Sequence, residues 1–406
     1  MDTSMISVAE ALSRILSSVS SLATETVFLS AAHGRTLAED LAARTTQPPS
    51  DVSAMDGWAV RATDIQGPPV TLKVIGSIAA GQGFASELGT GEAVRIFTGA
   101  SIPKGADSVV IQENTQFDDT LTEVVVQKPV KPGANIRMKG LDFRVDTVLL
   151  TKGTVLDARH IALAAAMNRP WLNVVRRPRV AILVTGDEIV MPGEPLREHQ
   201  IVSSNSHGLS ALVAESGGDP IILGVAPDQT EPLIAMAEKA TGADLLVTTG
   251  GASVGDHDLV RSALGARGLT LDFWKIAMRP GKPLMFGRLG PIPFLGLPGN
   301  PVSTFICALL FMQPMLRKML GQTAVERPRL TVTLGSDLAA NDQREDYMRA
   351  TMTQEAGKWV ARPFSIQDSS MMAPVVMADC LIIRPPHAPP IKAGGDIEVM
   401  VLRPSL

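Results

Sequence analysis

Cysteine and histidine are both scarce in this chain. Its 406 residues include two cysteines and six histidines. Two cysteines cannot build a disulfide framework, and Cys307 lies in an apolar helical run, which predicts a buried structural thiol. The histidines show no H-x-x-x-H or H-x-E grouping, so the sequence argues against a zinc site.

Long hydrophobic runs and an excess of positive charge are also absent. The longest apolar runs, such as 305–312, are too short to span a bilayer, and residues 1–8 contain no basic segment followed by an apolar one. The net charge is −4, which gives no reason to expect nucleic acid or a membrane as a partner. These absences predict a soluble, cytoplasmic protein in which anion binding depends on a local site.

What the chain does contain is one arrangement repeated between residues 179 and 320: an apolar strand, then a glycine- or proline-marked loop that carries charge. The predicted strands are 180–184, 221–225, 245–248 and 294–297, and the predicted helices are 206–216, 231–240, 259–264 and 301–320. Apolar strands that alternate with amphipathic helices predict a parallel sheet with helices on both faces. The predicted fold class is therefore multidomain α/β with a doubly wound parallel sheet in the core domain, 179–326.

Two β-rich regions flank this core domain. Residues 46–140 alternate short β-type runs with Gly/Pro turns, which predicts a small inserted β domain. Residues 327–406 return to β-type runs and predict a C-terminal β-barrel-like domain.

The remaining residues, 1–45 and 141–178, predict a discontinuous helical domain. Apolar residues recur at helical spacing behind Ser7, the segment 37–41 is a second predicted helical piece, and a further helix over 158–167 has Asp157 as its N-cap. The first and last of these helices are predicted to pack together.

If the four core strands are parallel neighbours, their charged loops share one edge of the sheet, where ligands bind in open α/β sheets. Asp187 and Glu188 follow the first strand; a solvated turn is the alternative interpretation of this pair. Gly250 and Gly251 begin a loop whose backbone N–H groups can cradle phosphate. That loop matches neither G-x-G-x-x-G nor G-x-x-x-x-G-K-[ST], so neither a dinucleotide fold nor a P-loop is predicted.

The same loop carries two further acids. Asp256 and Asp258 offer the hard oxygen ligands that suit Mg²⁺, although Asp258 also fits as the N-cap of the next helix. Gly251-Ala-Ser253-Val-Gly255 matches the short G-x-S-x-G nucleophile elbow as well. A hydrolase needs a histidine further along, and His387 is the only one well downstream, which makes the hydrolase hypothesis the weaker one.

Positive charge is concentrated at a third loop. Lys275, Arg279 and Lys282 lie among apolar neighbours and beside Pro280 and Gly281, and partly desolvated cations bind oxyanions well. At the fourth loop, Asn300 fits as an N-cap and Pro301 as the first helical residue, which favours an anion at the helix start. An ordinary capped core helix is the alternative there.

These motifs together resemble the MoeA/gephyrin family of molybdopterin molybdenumtransferases. The matching strings are Ser53-Ala-Met-Asp-Gly-Trp58, Arg95-Ile-Phe-Thr-Gly-Ala100, Asn135-Ile-Arg137, Thr185-Gly-Asp-Glu188, Ser204-Asn-Ser206, Gly250-Gly-Ala-Ser-Val-Gly255, Pro280-Gly-Lys-Pro283 and Leu297-Pro-Gly-Asn-Pro-Val-Ser303. They follow the family's order over nearly the whole chain. Arg279 departs from the family's usual lysine, Leu141 from a glutamate, Trp58 from a tyrosine and Asp368 from a glycine.

The resemblance implies an enzyme that inserts molybdenum from molybdate into adenylylated molybdopterin and releases AMP with the help of Mg²⁺. It also implies an elongated homodimer. Candidate protein partners are a molybdopterin adenylyltransferase and apo-molybdoenzymes or their chaperones. Two alternatives stay open: the adenylyltransferase activity of a sibling family, and a non-catalytic scaffold of the gephyrin type.

Residue by residue, the motifs and the resemblance give three sets of site residues. The predicted catalytic residues are Asp56, Asp142, Glu188, Asp228, Asp258, Lys275 and Arg279. The predicted substrate-binding residues are Thr98, Arg137, Asp187, Ser206, Gly250, Gly251, Ser253, Lys282, Pro298, Asn300, Pro301 and Ser369. The predicted metal ligands are Glu188, Asp256 and Asp258.

Overall fold

The computed structural model describes residues 5–251 and 259–402. Its α/β unit is built on a sheet of six strands. In spatial order they are Asp219–Ala226, Arg179–Thr185, Leu245–Thr249, Ile292–Leu297, Met285–Leu289 and Leu269–Trp274. The first four are parallel, as predicted, whereas Met285–Leu289 runs antiparallel to both neighbours. The last two strands were not predicted, because Asp272 and Arg288 interrupt their apolar pattern.

Helices cover both faces of this sheet, which confirms the doubly wound arrangement. One face packs against Val8–Ser17, Asn205–Glu215 and the helical run that begins at Pro301, and the other packs against Thr230–Glu238 and Leu259–Gly265. Along the strand Arg179–Thr185, buried side chains alternate between the two cores, as the two-residue period of a strand requires.

The helical run after the last parallel strand is not a single α-helix. It consists of Pro301–Cys307, a π-helical turn at Ala308–Met312, and Gln313–Met319. Pro314 is the second residue after the π-helical turn. Because proline has no amide hydrogen, it removes one bond of the α-helical ladder at this point.

The first helix has a different partner from the one predicted. Its N-cap is Ser7, whose hydroxyl accepts from the amide of Glu10 at 3.1 Å. Its buried residues Val8, Ala11 and Ile15 belong to the core of the α/β unit, whereas the helix Ala158–Ala166 contributes Ala164 to a separate core. The prediction that these two helices pack together is therefore wrong. An apolar stripe shows which side of a helix is buried, and it does not identify the partner.

That separate core lies beneath short strand pairs. Thr24–Phe28 pairs with Trp171–Val175, and Leu41–Ala42 pairs with Val148–Leu150. A 3-10 turn spans Leu29–Ala31. The predicted helical piece at 37–41 is wrong, since its residues form bridges and a strand; a five-residue segment is too short for periodicity to distinguish the two. Asp157 does cap Ala158–Ala166, as predicted.

The inserted β unit is confirmed. Its six-stranded sheet runs in the order Ser108–Ile111, Gly57–Val60, Glu92–Ile96, Val70–Ile78, Glu123–Val126 and Thr115–Phe117. A second pair joins Val52–Ser53 to Ile136–Arg137. Short 3-10 turns lie at Ala62–Ile65 and Gln112–Asn114. The boundaries of the four predicted domains remain a proposal.

The C-terminal unit is a closed five-stranded barrel, as predicted. Its strands are Arg329–Leu334, Glu345–Glu355, Lys358–Pro363, Cys380–Arg384 and Asp396–Val401, with a short helix at Ala373–Met377. The ring closes because Glu345–Glu355 pairs with Cys380–Arg384. A strand of the α/β unit, Met278–Arg279, pairs in parallel with the start of Glu345–Glu355 and joins the two units. Among the described residues, none of the helices has the length and hydropathy needed to cross a bilayer.

Candidate active site

The loops that follow the parallel strands meet at one edge of the sheet, as predicted. A cavity of about 580 Å³ opens at this edge. Its wall contains nine predicted site residues: Glu188, Asp228, Gly250, Gly251, Arg279, Lys282, Pro298, Asn300 and Ser369. It also contains Thr185, Ser303, Arg344 and Gln367, which the sequence analysis had not assigned. Arg344, Gln367 and Ser369 belong to the barrel unit, so the cavity lies between sheet edge and barrel.

One side of the cavity is acidic. The amide of Asp228 donates to Asp187 Oδ1 at 3.0 Å, and Glu188 lies on the wall beside them. The loop that carries Asp187 and Glu188 is held by a short parallel pair, Ile189–Val190 with Ile201–Val202. Partial burial, together with the negative charges of Asp187 and Glu188, raises the pKa of Asp228. These carboxylates repel one another, and a bound cation would relieve that repulsion.

The glycine pair lies against the end of the first parallel strand. Gly250 and Gly251 have φ values of 92° and 64°. A Cβ at Gly250 would lie 2.2 Å from the carbonyl oxygen of Thr185, and one at Gly251 would lie 2.8 Å from its hydroxyl. Only glycine fits at both positions. The hydroxyl of Thr185 is buried and has no hydrogen-bond partner in the part of the chain that the structure describes.

On the opposite side the wall is basic, and Arg279 is already paired. Its Nη2 donates to Asp346 Oδ2 and to Asn341 Oδ1, and its Nη1 lies 3.4 Å from Asp342 Oδ2. The hydrogen bond that Arg279 donates to the Asp346 carboxylate raises the pKa of Arg279. Arg279 therefore connects the cavity wall to the barrel.

Two further cations line the cavity. Lys282 forms no ion pair within residues 5–251 and 259–402. Arg344 donates through Nη2 to Asp342 Oδ2 at 2.8 Å, and its buried Nε has no partner in the described part of the chain. Lys282 and Arg344 are thus the groups with donors left for an anion.

Lys275 takes a position different from the one expected of a wall residue. Its Nζ lies 4.4 Å from the ring centroid of Trp274, and its backbone amide donates to the carbonyl of Leu284 at 3.2 Å. It does not contribute to the wall of the cavity. The structure therefore separates Lys275 from Arg279 and Lys282, which sequence proximity had grouped with it.

The start of the last helix is linked to the barrel. Asn300 is at the N-cap position, as predicted, but its side chain makes no capping hydrogen bond. Its Nδ2 instead donates to Ser369 Oγ at 2.8 Å, and the amide of Val302 donates to the carbonyl of Ser369 at 3.1 Å. Ser369 thus takes up a backbone donor that was expected to be free for an anion.

The remaining predictions around this edge have mixed outcomes. Ser206 is buried and shares a hydrogen bond of 2.9 Å with Ser203, and neither Ser206 nor Pro301 belongs to the cavity wall. Ser253, Asp256 and Asp258 lie outside the described residues. In the residues that are described, no group of three or more His, Cys, Asp or Glu is placed to hold a metal ion.

Family models match nearly the whole chain. A model described as the MoeA N-terminal region (domain I and II) matches residues 6–168, one described as a probable molybdopterin binding domain matches 181–318, and one described as the MoeA C-terminal region (domain IV) matches 331–402. The chain belongs to the MoeA family. This is a family of molybdopterin molybdenumtransferases, which are enzymes of molybdenum cofactor biosynthesis.

Individual relatives match over most of their length. A molybdopterin molybdenumtransferase from Nostoc sp. is 36% identical over 389 residues, which cover 93% of this chain and 89% of the relative. The enzyme of the same name from Haemophilus influenzae is 35% identical, with 93% of both chains covered. The crystal structure of the molybdopterin biosynthesis MoeA protein from Pyrococcus horikoshii matches with a TM-score of 0.85, 32% identity, and coverage of 98% and 100%.

The other predicted residues of this MoeA family member lie on the inserted β unit and on the segment that follows it. Thr98 donates to Asp56 Oδ1 from its amide and its hydroxyl, both at 2.8 Å. These hydrogen bonds, with a smaller effect of the Arg95 charge, lower the pKa of Asp56. Arg95 is buried beside Trp58, its cross-strand neighbour, with its guanidinium carbon 5.0 Å from that ring. The pair therefore stiffens the strands that carry Asp56 and Thr98.

Arg137 and Asp142 line a second cavity, of about 620 Å³. Its wall is formed by the inserted β unit and the segment that follows it, and includes Gly99, the neighbour of Thr98 in the sequence. None of Asp56, Thr98, Arg137 and Asp142 lines the cavity at the sheet edge. Within one copy of the chain, the predicted site is thus divided between two cavities.

Arg344, Gln367 and Thr185 were missed for different reasons. Arg344 and Gln367 lie in barrel segments that carry no motif, and only the pairing of Met278–Arg279 with Glu345–Glu355 brings that region to the sheet edge. Thr185 was given no role in the site, although it is the first residue of the Thr185-Gly-Asp-Glu188 string. Its position at the carboxyl end of a parallel strand was a usable signal.

Proposed function

We propose that this protein transfers molybdenum from molybdate into adenylylated molybdopterin and releases AMP, with Mg²⁺ required. One observation carries the proposal beyond family membership. A single cavity has carboxylates from two strand ends on one side, and cations from the Arg279–Lys282 loop and the barrel on the other. A substrate that contains a pyrophosphate and reacts with an oxyanion needs both kinds of group.

The acidic side fits a hard divalent cation. The donor set consists of carboxylates, which Mg²⁺ prefers, and partial burial together with the negative charges of Asp187 and Glu188 raises the pKa of Asp228. Glu188 and Asp228 would hold the ion, together with the predicted ligands Asp256 and Asp258. Bound there, Mg²⁺ supplies charge neutralisation and polarisation of the phosphoanhydride.

The basic side fits a tetrahedral oxyanion. Lys282 brings a point charge with three donors, and Arg344 brings a planar guanidinium with a donor to spare. Arg279 adds positive charge to the wall, although Asp346 holds its side chain. These residues would orient molybdate, or the terminal phosphate of the pterin, so that the dithiolene sulfurs can replace oxygen ligands of the metal.

The floor between the two sides fits the adenylyl phosphate. Gly250 and Gly251 allow close backbone approach, and backbone N–H groups in such loops bind phosphate oxygens. Asn300 and Ser369, which hydrogen-bond to each other, close the floor towards the barrel. Cleavage of the anhydride consumes one water and leaves AMP on this side.

We further propose that a second copy of the chain completes the site. Arg137 and Asp142 line a cavity of their own in one copy, and Asp56 and Thr98 bond to each other away from the cavity at the sheet edge. In a homodimer the inserted β unit of one subunit would meet the sheet edge of the other. Mixed dimers of an Asp56→Asn subunit and a Glu188→Gln subunit would then contain one intact site. If subunits mix at random, activity should return to about one quarter of the wild-type value; no return would contradict a shared site.

The decisive experiment supplies the pure protein with adenylylated molybdopterin, molybdate and Mg²⁺. AMP release and active cofactor, detected by reconstitution of an apo-molybdoenzyme, should both depend on Mg²⁺ and molybdate. Glu188→Gln should lower the rate about 100-fold or more. Glu194→Gln, on the same loop and outside the cavity, is the matched control and should retain the wild-type rate.

A parallel reaction with molybdopterin and ATP tests the adenylyltransferase alternative. We expect no ATP consumption. Consumption of ATP without AMP release from adenylylated molybdopterin would favour that activity, and the absence of both reactions would favour a scaffold. The proposed activity also implies two partners, an enzyme that adenylylates molybdopterin and an apo-molybdoenzyme or its chaperone that receives the product.

A further inference from the structure

Asp342 places a carboxylate between the two arginines of the cavity wall. Its Oδ2 accepts from Arg344 Nη2 at 2.8 Å and lies 3.4 Å from Arg279 Nη1. Its Oδ1 accepts from the backbone amide of Arg344 at 2.8 Å. The arginine hydrogen bonds lower the pKa of Asp342 to about 2, so its carboxylate is ionised at any pH at which the enzyme works.

The two carboxylates that face these arginines differ in character. Asp346 is largely buried, with 10% of its side chain exposed, and lies in the strand that pairs with Met278–Arg279. Asp342 lies on the preceding loop with 35% of its side chain exposed. Asp346 therefore belongs to the joint between the units, whereas Asp342 is accessible to solvent and to competing anions.

Asp342 lowers the net positive charge that the basic wall presents to an anion. Arg279, Arg344 and Lys282 bring three positive charges, and Asp342 and Asp346 bring two negative ones. An incoming dianion therefore meets one net positive charge from these five groups. Without the Asp342 carboxylate it would meet two, and both arginines would have donors free.

We propose that Asp342 is an internal competitor for the oxyanion site and sets the affinity of the cavity for a tetrahedral dianion. The proposal rests on the oxyanion role given above to the basic wall. An oxyanion that enters takes over hydrogen bonds of Arg279 and Arg344 that Asp342 holds in its absence. Asp342 thereby keeps the binding of the oxyanion weak. Weak binding suits a substrate that must leave the wall to reach the pterin sulfurs.

The test is a calorimetric titration of the full-length protein with molybdate. Asp342→Asn keeps an acceptor for the Arg344 amide and removes the charge, so it should bind molybdate about 10-fold more tightly, with a gain that shrinks as salt is added. Glu355→Gln is the matched control: it removes a carboxylate from another arginine pair of the barrel, outside the cavity wall. Its molybdate affinity should equal that of the wild type.

Unchanged or weaker molybdate binding by a folded Asp342→Asn protein overturns the proposal, as does the absence of binding in both proteins. AMP release by the wild type is scored separately, so the proposed function can fail while the competitor role stands, and the reverse. A parallel titration with inorganic phosphate separates the two sources of dianion. Tighter wild-type binding of molybdate assigns the wall to the metal oxyanion, and tighter binding of phosphate assigns it to the pterin phosphate.

Discussion

Arg279 and Asp346 form an ion pair where the sheet of the α/β unit meets the C-terminal barrel. Their backbones are register partners in a short parallel pairing, and the Arg279 side chain reaches the largely buried Asp346 carboxylate. This contact, together with the bonds of Asn300 and Val302 to Ser369, holds the sheet edge of the cavity against its barrel wall. The residues that the barrel contributes, Arg344 and Ser369 among them, depend on it for their position.

Replacing Arg279 should therefore affect stability as well as activity. Arg279→Ala leaves Asp346 partly buried and unpaired, and because Arg279 itself is half exposed we expect a loss of about 1–3 kcal/mol. Urea unfolding of Arg279→Ala, Asp346→Ala and the double variant measures the coupling. Arg362→Ala, which breaks the exposed pair with Glu355, is the control and should lose less than about 1 kcal/mol. Equal losses of stability at the Arg279–Asp346 pair and at the Arg362–Glu355 pair would contradict the role of Arg279 and Asp346 in joining the two units.

The hydrogen bond between Asn300 and Ser369 should matter for substrate binding. Ser369→Ala removes the acceptor of the Asn300 amide and should raise KM several-fold, because the floor of the cavity loses its link to the barrel. Ser370→Ala is the control, since that hydroxyl is bonded to Asp368 and does not line the cavity. Steady-state AMP release of both variants checks the prediction; equal KM values would refute it.

Two buried threonine hydroxyls give a matched pair. In the described part of the chain, Thr185 and Thr248 both lack a partner for their hydroxyl, and only Thr185 lies on the cavity wall. Replacement of either by valine removes an unpaired polar group and should stabilise the fold by about 1 kcal/mol. Only Thr185→Val should lower the rate of AMP release. Loss of rate in Thr248→Val, or destabilisation of both, would contradict this assignment.

The acidic side predicts a dependence of stability on pH. The pKa of Asp228 is raised in the folded state, so the folded protein binds more protons than the unfolded one between the unfolded value of about 3.9 and the raised value. The contribution of Asp228 to stability therefore falls as pH rises through that window. Asp228→Asn should be more stable than the wild type at pH 7, with the difference vanishing near pH 4.

Thermal unfolding from pH 4 to pH 8 measures this effect. Addition of Mg²⁺ at pH 7 should raise the melting temperature of the wild type more than that of Asp228→Asn, because an ion that binds only the folded state stabilises it. If Asp228→Asn is less stable than the wild type at pH 7, the negative charges of Asp187, Glu188 and Asp228 are already offset in the folded protein.

The two cysteines should be unreactive in the folded protein. Both are buried; burial raises the pKa of the Cys307 thiol, and burial with the charge of Asp379 raises the pKa of Cys380 to about 12. Only the thiolate reacts with disulfide reagents. Titration with such a reagent should therefore find no fast thiol in the native state and two after denaturation. A fast-reacting native thiol would contradict the packing around Gly281, whose carbonyl faces the Cys307 sulfur.

By itself, the sequence determined the parts of this protein that depend on local pattern. Apolar strands followed by marked loops placed Glu188, Gly250 and Asn300 at one sheet edge, because parallel strands send all their carboxyl ends to the same side. Strand alternation likewise predicted the barrel and the inserted β unit. The short segment 37–41 was the failure, since periodicity cannot separate a helix from bridges over five residues.

Only the tertiary structure decided which distant groups meet. The Arg279–Asp346 contact spans 67 positions in the sequence, and no local pattern encodes such a pairing. It turned Arg279 towards the barrel, brought Arg344 and Asp342 to the cavity, and left Lys275 over Trp274. The side chain of Asn300 likewise bonds to Ser369 rather than to its own helix, because a hydrogen-bonding group takes whatever partner the packing of the units provides.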